Sequence, residues 1–191
     1  IFKFLHIPVQ SGSDIILRKM KRGHSVKIYR DMVKAFRSKI PELTIATDII
    51  VGFPSETDED FEKTLSLIKE TEPDIVNSSK YSVRPNTSAA RLKQLSTEII
   101  KKRTQKLHLL INQISRKRNS LWKGWKGELI IDHIDNNIIE GRNYAYKPVV
   151  VSSTNLSSSS FEPERLLGAK VKARIENYSN NSLQGYVDLT M

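Results

Sequence analysis

Three short stretches of this chain carry side chains that could do chemistry. Gln10, Ser11, Gly12 and Ser13 offer an amide and two hydroxyls around a glycine. Gly52, Phe53 and Pro54 follow Val51 and set a bare backbone beside a ring, and Arg84 stands in Tyr-Ser-Val-Arg-Pro. No catalytic residue is assigned among them; the set suits holding a polar ligand. Amides and hydroxyls hydrogen-bond a ribose or a carboxylate, Gly52 lets a flat ring approach the backbone, and the Arg84 guanidinium fits a carboxylate or a phosphate. Each has a plainer reading. Ser13 can be a helix cap, Gly52 and Pro54 can merely shape a turn, and Arg84 and Arg22 can pair with carboxylates. Asp48 lies within an apolar strand, where a carboxylate needs a partner, either a ligand in a lumen or a structural Arg. His6, alternating with Phe4 and Pro8, reads as a core histidine.

Parallel strands present such groups at their carboxyl ends, where a helix begins. Residues 2–9 read as a strand, followed by a short helix capped by Ser13 or Asp14 and running to Lys21. Ser25 caps a longer helix, with Tyr29, Met32, Val33 and Phe36 on one buried face. Residues 43–51 form a near-continuous apolar strand of the kind covered on both faces. Thr57 to Asp60 resemble a capping box, ahead of a helix with Phe61, Leu65 and Ile68 inward. Residues 75–83 make a third strand. A long helix then runs to about Arg118, with Leu107, Leu110, Ile111 and Ile114 inward. This β-α-β-α-β-α order predicts about three units of a parallel α/β barrel or sheet, with Gln10, Gly52 and Arg84 around one hollow. From about Trp122 short alternating runs appear at 128–133, 146–151, 171–175 and 185–189. Turns are expected at Asn136-Asn137 and Glu140-Gly141, and a low-complexity loop at 157–160. That texture predicts a small all-β barrel or sandwich, and hence two domains, 1–120 and 121–191.

The chain of 191 residues has no cysteine, which excludes disulfides and thiolate-held metal clusters within it. Four scattered histidines lack a zinc spacing, so no metal ligand is assigned. No apolar run approaches a membrane span, and a cytoplasmic protein is expected. The first residue is Ile1, already in strand-like sequence, so the chain reads as part of a longer protein. The net charge of +10 lies wholly in residues 1–120, and the rest balances. Between Lys101 and Lys126 there are nine basic residues and no acidic one. Such a strip suits a polyanion, nucleic acid above all, or is a solvated helix face. Lys123, Trp125 and Lys126, then Arg142, Tyr144, Tyr146 and Lys147, interleave base-stacking rings with phosphate-binding cations. Trp125 and Tyr146 read equally as barrel core.

The stretches HIPVQSGSD, LRKMKRGHS, TDIIVGFPSETDEDFEKTL and YSVRPNTSAA, in this order, resemble the methylthiotransferase family of radical S-adenosylmethionine enzymes. EGRNYAYKPVVV resembles the TRAM domain that closes such proteins, a small RNA-binding β-barrel, and is most similar to the archaeal and eukaryotic branch. The resemblance implies the second half of a radical (β/α) barrel followed by a TRAM barrel. It implies methylthio transfer to C2 of N6-threonylcarbamoyladenosine next to the anticodon of tRNA. The mechanism it implies is reductive cleavage of S-adenosylmethionine at a [4Fe-4S] cluster, hydrogen abstraction from the base, and sulfur delivery from a second [4Fe-4S] cluster. It also implies S-adenosylmethionine contacts for Gln10, Ser11, Ser13, Asp48, Val51, Gly52, Phe53 and Arg84, and RNA contacts for Lys123, Trp125, Lys126, Arg142, Tyr144 and Lys147. The partner is tRNA, with no membrane and no obligate protein partner. The cluster cysteines of the family lie upstream of the matching strand, so the chain alone is expected to be inactive. Sibling branches act on isopentenyl-adenosine in tRNA or on a ribosomal protein, and a stand-alone RNA-binding module without catalysis is the other reading. Ser55 and Asn86 replace the family's usual glycines, and both turns are expected to survive.

Overall fold

In the computed structural model, which describes residues 1–135, 138–152 and 166–188, apolar periodicity sorts the chain into two compact units. One is Leu5–Ile114; the other is Ile1–Phe4 with the chain from Ser115 on. The first holds a sheet of three strands in the order β1 (Phe4–His6), β2 (Thr44–Val51), β3 (Ile75–Lys80). β2 and β3 are parallel, with Asp48 opposite Asn77 and Ile50 opposite Ser79. Gln10 extends the pairing as a parallel bridge to Ile49. Side chains alternate along β2. Ile45, Ile49 and Val51 enter a core with Leu17, Tyr29, Val33, Phe61, Ile68 and Leu107. These come from α1 (Asp14–Lys19), α2 (Val26–Lys39), α3 (Asp58–Thr71) and α4 (Thr97–Ser120). The other face carries His6, Asp48 and Asn77, joined to one another by hydrogen bonds.

Several boundaries differ from the sequence expectation for local reasons. The opening strand is only Phe4–His6, because Pro8 has no N–H and the Val9 N–H goes to the Thr47 hydroxyl at 3.2 Å. α1 stops at Lys19, since Lys21 is left-handed at φ 57°. β3 stops at Lys80, where the ladder runs out at Val51 of β2. On α2 the buried face is Val26, Tyr29 and Val33, and Met32 and Phe36 are exposed. His6 is exposed rather than a core histidine, and Asp48 pairs with it and with Asn77 rather than with an Arg.

Two buried carboxylates fasten the strand-to-helix loops. Asp60 completes a capping box with Thr57 at the start of α3 and accepts the Ser13 hydroxyl at 2.6 Å. The Gly12 N–H donates to the Thr64 hydroxyl at 2.9 Å, and a Cβ at Gly12 would lie 2.4 Å from Thr64 Cα. The loop after β1 is therefore seated on α3. Burial works against the Asp60 carboxylate, but the Ser13 hydroxyl and the Thr57 N–H and hydroxyl hold its pKa below the ordinary aspartate value. Glu56 is buried after β2 and accepts the Gly52 N–H at 3.1 Å and the Arg103 guanidinium at 2.7 Å. Arg103, itself buried, reaches Asp58 with its other nitrogen, 2.7 Å away.

Arg103 belongs to the basic run, and it is not alone in being paired. Lys102 meets Glu98, and Lys106 meets Glu62. Arg116 lies over the Tyr178 ring. The strip expected to face a polyanion is thus partly neutralised by pairing, inside the fold at Arg103 and on the surface at Lys102 and Lys106.

The second unit is a closed barrel of β4 (Lys126–Asp135), β5 (Ile138–Arg142), β6 (Pro148–Ser152), β7 (Lys170–Tyr178) and β8 (Leu183–Asp188), in the order β4-β5-β6-β8-β7. β6 and β8 are parallel and the other pairs antiparallel. Leu129, Ile131, Ile139, Val149, Val151, Val171 and Ile175 fill it. Glu140-Gly141 is not a turn: both residues sit inside β5, between β4 and β6. Tyr146 lies not in a strand but in a turn, at φ 62°. The expected Asn136-Asn137 turn and the 157–160 loop lie outside the described residues. No helix among the described residues is long and apolar enough to cross a membrane.

Two outcomes follow for stability, read by urea unfolding. Arg103→Ala strands Glu56 in the interior and is expected to cost about 3–5 kcal/mol near neutral pH. Burial already pushes the Glu56 carboxyl up, so the loss shrinks on acidification as that carboxyl takes a proton. Asp60→Asn is expected to cost about 1.5–3 kcal/mol at neutral pH. Because its folded pKa lies below the unfolded one, the wild-type advantage is full above the ordinary aspartate value and fades as pH falls through the lowered one. A gap between wild type and Asp60→Asn that is constant with pH would contradict the assignment.

Candidate functional site

The carboxyl ends of the three strands bring most of the expected ligand-binding residues to one edge of the sheet. Gln10 donates its N–H to the Asp48 carbonyl at 2.8 Å, and its own carbonyl accepts from the Ile50 N–H at 3.0 Å. Gly52 follows directly, and the Tyr81 N–H donates to the Val51 carbonyl at 2.8 Å, drawing the segment that carries Arg84 beside β2. Gln10 is nearly buried with φ 73°, a costly conformation for a residue with a side chain, and its amide has no intramolecular partner among the described residues. Such strain gathers where a ligand is held. Gly52 has φ 82°, and a Cβ there would meet the Ile100 side chain at 2.6 Å. Its glycine requirement therefore comes from the turn and from α4. Ser55 and Asn86, at φ 65° and 63°, make their left-handed turns without glycine.

Other expected contacts point elsewhere. Ser11 and Ser13 are buried and spend their hydroxyls within the protein, Ser13 on Asp60 and Ser11 on the Ser13 N–H. The Val51 side chain is in the core. Phe53 is buried, its ring edge-on to Tyr81 with centroids 5.2 Å apart. Asp48 remains partly open, its Oδ1 held by His6 Nε2 at 2.9 Å and by the Asn77 amide at 3.0 Å.

A cavity of about 710 Å³ opens beside Ile50, Phe53 and Tyr81. Lys19, Lys21 and Arg22 reach it from the turn after α1, and Lys80 and Arg84 from the end of β3. Sequence reasoning missed Glu56 and this convergence. A carboxylate four residues after Gly52, in the turn between an apolar strand and a helix, was the available signal for the first.

On the barrel, four of the six residues expected to touch RNA line one cavity of about 380 Å³: Trp125, Lys126, Arg142 and Tyr144. Trp122, Trp125 and Tyr144 form a ring cluster with centroids 5.7–6.0 Å apart. Arg142 pairs with Asp132 at 2.8 Å and lies over the Tyr146 ring at 4.9 Å. Tyr146, 37% exposed, also touches Phe2 and Phe4. Lys123 is exposed and not among the residues lining the cavity. Lys147 departs from the expectation: it is buried, its ammonium donating to the Asn119 side-chain amide oxygen at 3.0 Å.

Comparison with known proteins bears on these two regions. The radical SAM superfamily profile matches residues 2–68. A probable threonylcarbamoyladenosine tRNA methylthiotransferase of Archaeoglobus fulgidus is 47% identical over 154 residues, 78% of this chain and 36% of that protein. Its counterpart in Pyrococcus horikoshii is 39% identical over 188 residues, 98% of this chain and 42% of that protein. A tRNA-2-methylthio-N(6)-dimethylallyladenosine synthase of Bacillus cytotoxicus is 36% identical over 97% of this chain and 35% of that protein. The chain thus spans less than half the length of the curated relatives it matches. Among solved structures, Escherichia coli coproporphyrinogen III oxidase (HemN), a radical SAM enzyme, shares the fold with a TM-score of 0.51 at 18% identity, covering 95% of this chain and 45% of that one. By these matches the chain belongs to the radical SAM superfamily and corresponds to part of its tRNA methylthiotransferases.

Proposed function

We propose that this chain is part of an enzyme that places a methylthio group on C2 of N6-threonylcarbamoyladenosine beside the anticodon of tRNA, in the cytoplasm. The observation that carries the reading is the identity of 39–50% to proteins named for that substrate, against 35–37% to those named for the dimethylallyl substrate. Residues 1–120 would be the second half of the radical barrel, and 121–191 the TRAM domain. The barrel strand order, with its parallel β6–β8 pair, matches five-stranded Greek-key barrels that take oligonucleotides on their second and third strands. Arg142 lies on the second of these.

The iron–sulfur clusters do not fit here. The sequence has no cysteine, and no group of three potential metal ligands exists among the described residues. Cluster chemistry belongs to the rest of the protein. S-adenosylmethionine does fit the open face of the sheet. Asp48, fixed by His6 and Asn77, offers a carboxylate to an ammonium or to ribose hydroxyls, and the free Gln10 amide lies one strand away. When bound, the cofactor supplies the methyl group and the one-electron chemistry; Asp48, Gln10 and the apolar Ile50 hold and orient it.

The reading is tested in cells lacking the gene. Nucleosides from their tRNA should lose the 2-methylthio form of N6-threonylcarbamoyladenosine and accumulate the unthiolated base. Unchanged tRNA with a hypomodified ribosomal protein would reassign the enzyme to the sibling branch. For the barrel, Trp125→Ala should weaken tRNA binding by about 1–3 kcal/mol in filter-binding titrations, the worth of one stacked base, and Arg142→Ala should weaken it with a shallower salt dependence. Lys147→Met should act on stability and leave tRNA affinity within error when compared at equal folded fraction.

A further inference from the structure

The chain beyond residue 120 carries as many acidic as basic side chains, so an anion held there is drawn by local arrangement rather than by net charge. Pairing distributes the cations unevenly. Arg142 meets Asp132, Lys170 lies 3.9 Å from Glu128, and Lys147 is buried against Asn119. Lys126 and Arg174 are exposed, and their side chains have no ion pair or hydrogen bond among the described residues.

Register brings these two together. Along β7, Val171, Ala173 and Ile175 enter the barrel core, so Lys170, Lys172 and Arg174 face outward. Arg174 stands opposite Lys126 of β4 on one side and Tyr186 of β8 on the other. Tyr186 is 44% exposed. Lys126, Arg174 and Tyr186 thus form one row across the outer surface of three strands, each about 5 Å from the next at Cβ. The neighbouring row is balanced, since Lys172 stands opposite Glu128. Glu176 falls in the bulge between Ile175 and Asn177, outside the register.

Two like charges directly opposite on antiparallel strands repel one another, and an anion over them removes that repulsion. The ring at the end of the row narrows the class of anion. An exposed tyrosine in line with two cations matches the alternation of base and phosphate along an unpaired nucleic acid strand. An acidic peptide would use the cations and leave the ring idle. The other end of the row is continuous with the cavity described above: Lys126 lines the same hollow as Trp125, Arg142 and Tyr144.

We propose that an unpaired RNA strand crosses the barrel along this row, from β8 over β7 to β4 and into the Trp125 cavity. Tyr186 stacks one base, and Arg174 and Lys126 hold successive phosphates. Arg174 and Tyr186 lie on the fourth and fifth strands of the barrel, not on the second and third that such barrels commonly use. The proposal rests on the tRNA reading above and extends its site to a second face.

The test uses the 191-residue chain and a fluorescent single-stranded RNA, with anisotropy read across a KCl series. Arg174→Gln should flatten the plot of log K against log salt by about 0.7, the share of one single-strand phosphate, and Lys126→Gln/Arg174→Gln by about 1.4. Tyr186→Ala should weaken binding about fivefold or more and leave the slope unchanged, while Tyr186→Phe keeps the affinity. All three side chains are exposed, so the circular dichroism and the thermal midpoint should match wild type. Should a variant unfold, Arg174→Thr and Tyr186→Thr, which put a good strand former in place, are read instead. If Arg174→Gln and Tyr186→Ala change nothing while Arg142→Ala weakens binding, RNA does not follow the row and the tRNA reading stands. If the charge variants flatten the slope but Tyr186→Ala binds as wild type does, the row is a general polyanion surface and the RNA assignment is overturned. If wild type binds no RNA even at low salt, the tRNA reading itself falls and takes the row with it.

Discussion

The first unit depends on ionised carboxylates being held away from water at the ends of parallel strands. A parallel sheet delivers its strand termini side by side, and each must turn at once into a helix. The turn leaves backbone N–H groups without ladder partners, and burying them unpaired would cost free energy. Asp60 and Glu56 meet this need. Asp60 accepts from the Thr57 N–H and ties the preceding loop down through Ser13. Glu56 accepts from the Gly52 N–H and is in turn neutralised by Arg103. Neither carboxylate contacts a ligand cavity, yet they determine where Gln10, Gly52 and Phe53 sit.

The same accounting explains where free positive charge remains. Arg103 is buried because Glu56 is, and the basic run to which it belongs loses part of its field to such pairings. The residual charge gathers instead at the turn after α1 and at the end of β3, where short polar segments contribute cations without acids among them. Charge density along the sequence was therefore a poor guide to charge density in space. A helix distributes its residues around an axis and over its neighbours, whereas two strand-end loops can point theirs into one hollow.

The fold was largely legible because its signals are local. The apolar run of β2, the Thr57–Asp60 capping box and the alternation along β4 and β7 each follow from periodicity or hydrogen-bond supply within a few residues. What was missed required knowledge of partners distant in sequence. Glu140-Gly141 has turn-like composition, but β4 and β6 claim it as strand. Ser11 and Ser13 have the right types for a ligand, but Thr64 and Asp60, some fifty residues away, take their loop. His6 looked like a core residue by alternation, but the face it alternates onto is the open one. Lys147 sits among phosphate-seeking neighbours in sequence, and Asn119 draws it inside.

Gln10 shows how far local chemistry alone can go in marking a site. Its neighbours Ser11, Gly12 and Ser13 are all explained by the seating of their loop on α3, so a structural account covers three of four. The fourth is left with a positive φ, little solvent and an amide that nothing in the described residues satisfies. A residue whose only role was to connect β1 to α1 could have been glycine or asparagine at lower conformational cost. A longer amide kept in that conformation, one bridge away from Ile49 and beside the strand that carries Asp48, leaves polar atoms at the sheet edge for a ligand or water to meet. The sheet edge thus sets a carboxylate on its open face apart from the cations Lys80 and Arg84, which line the neighbouring hollow.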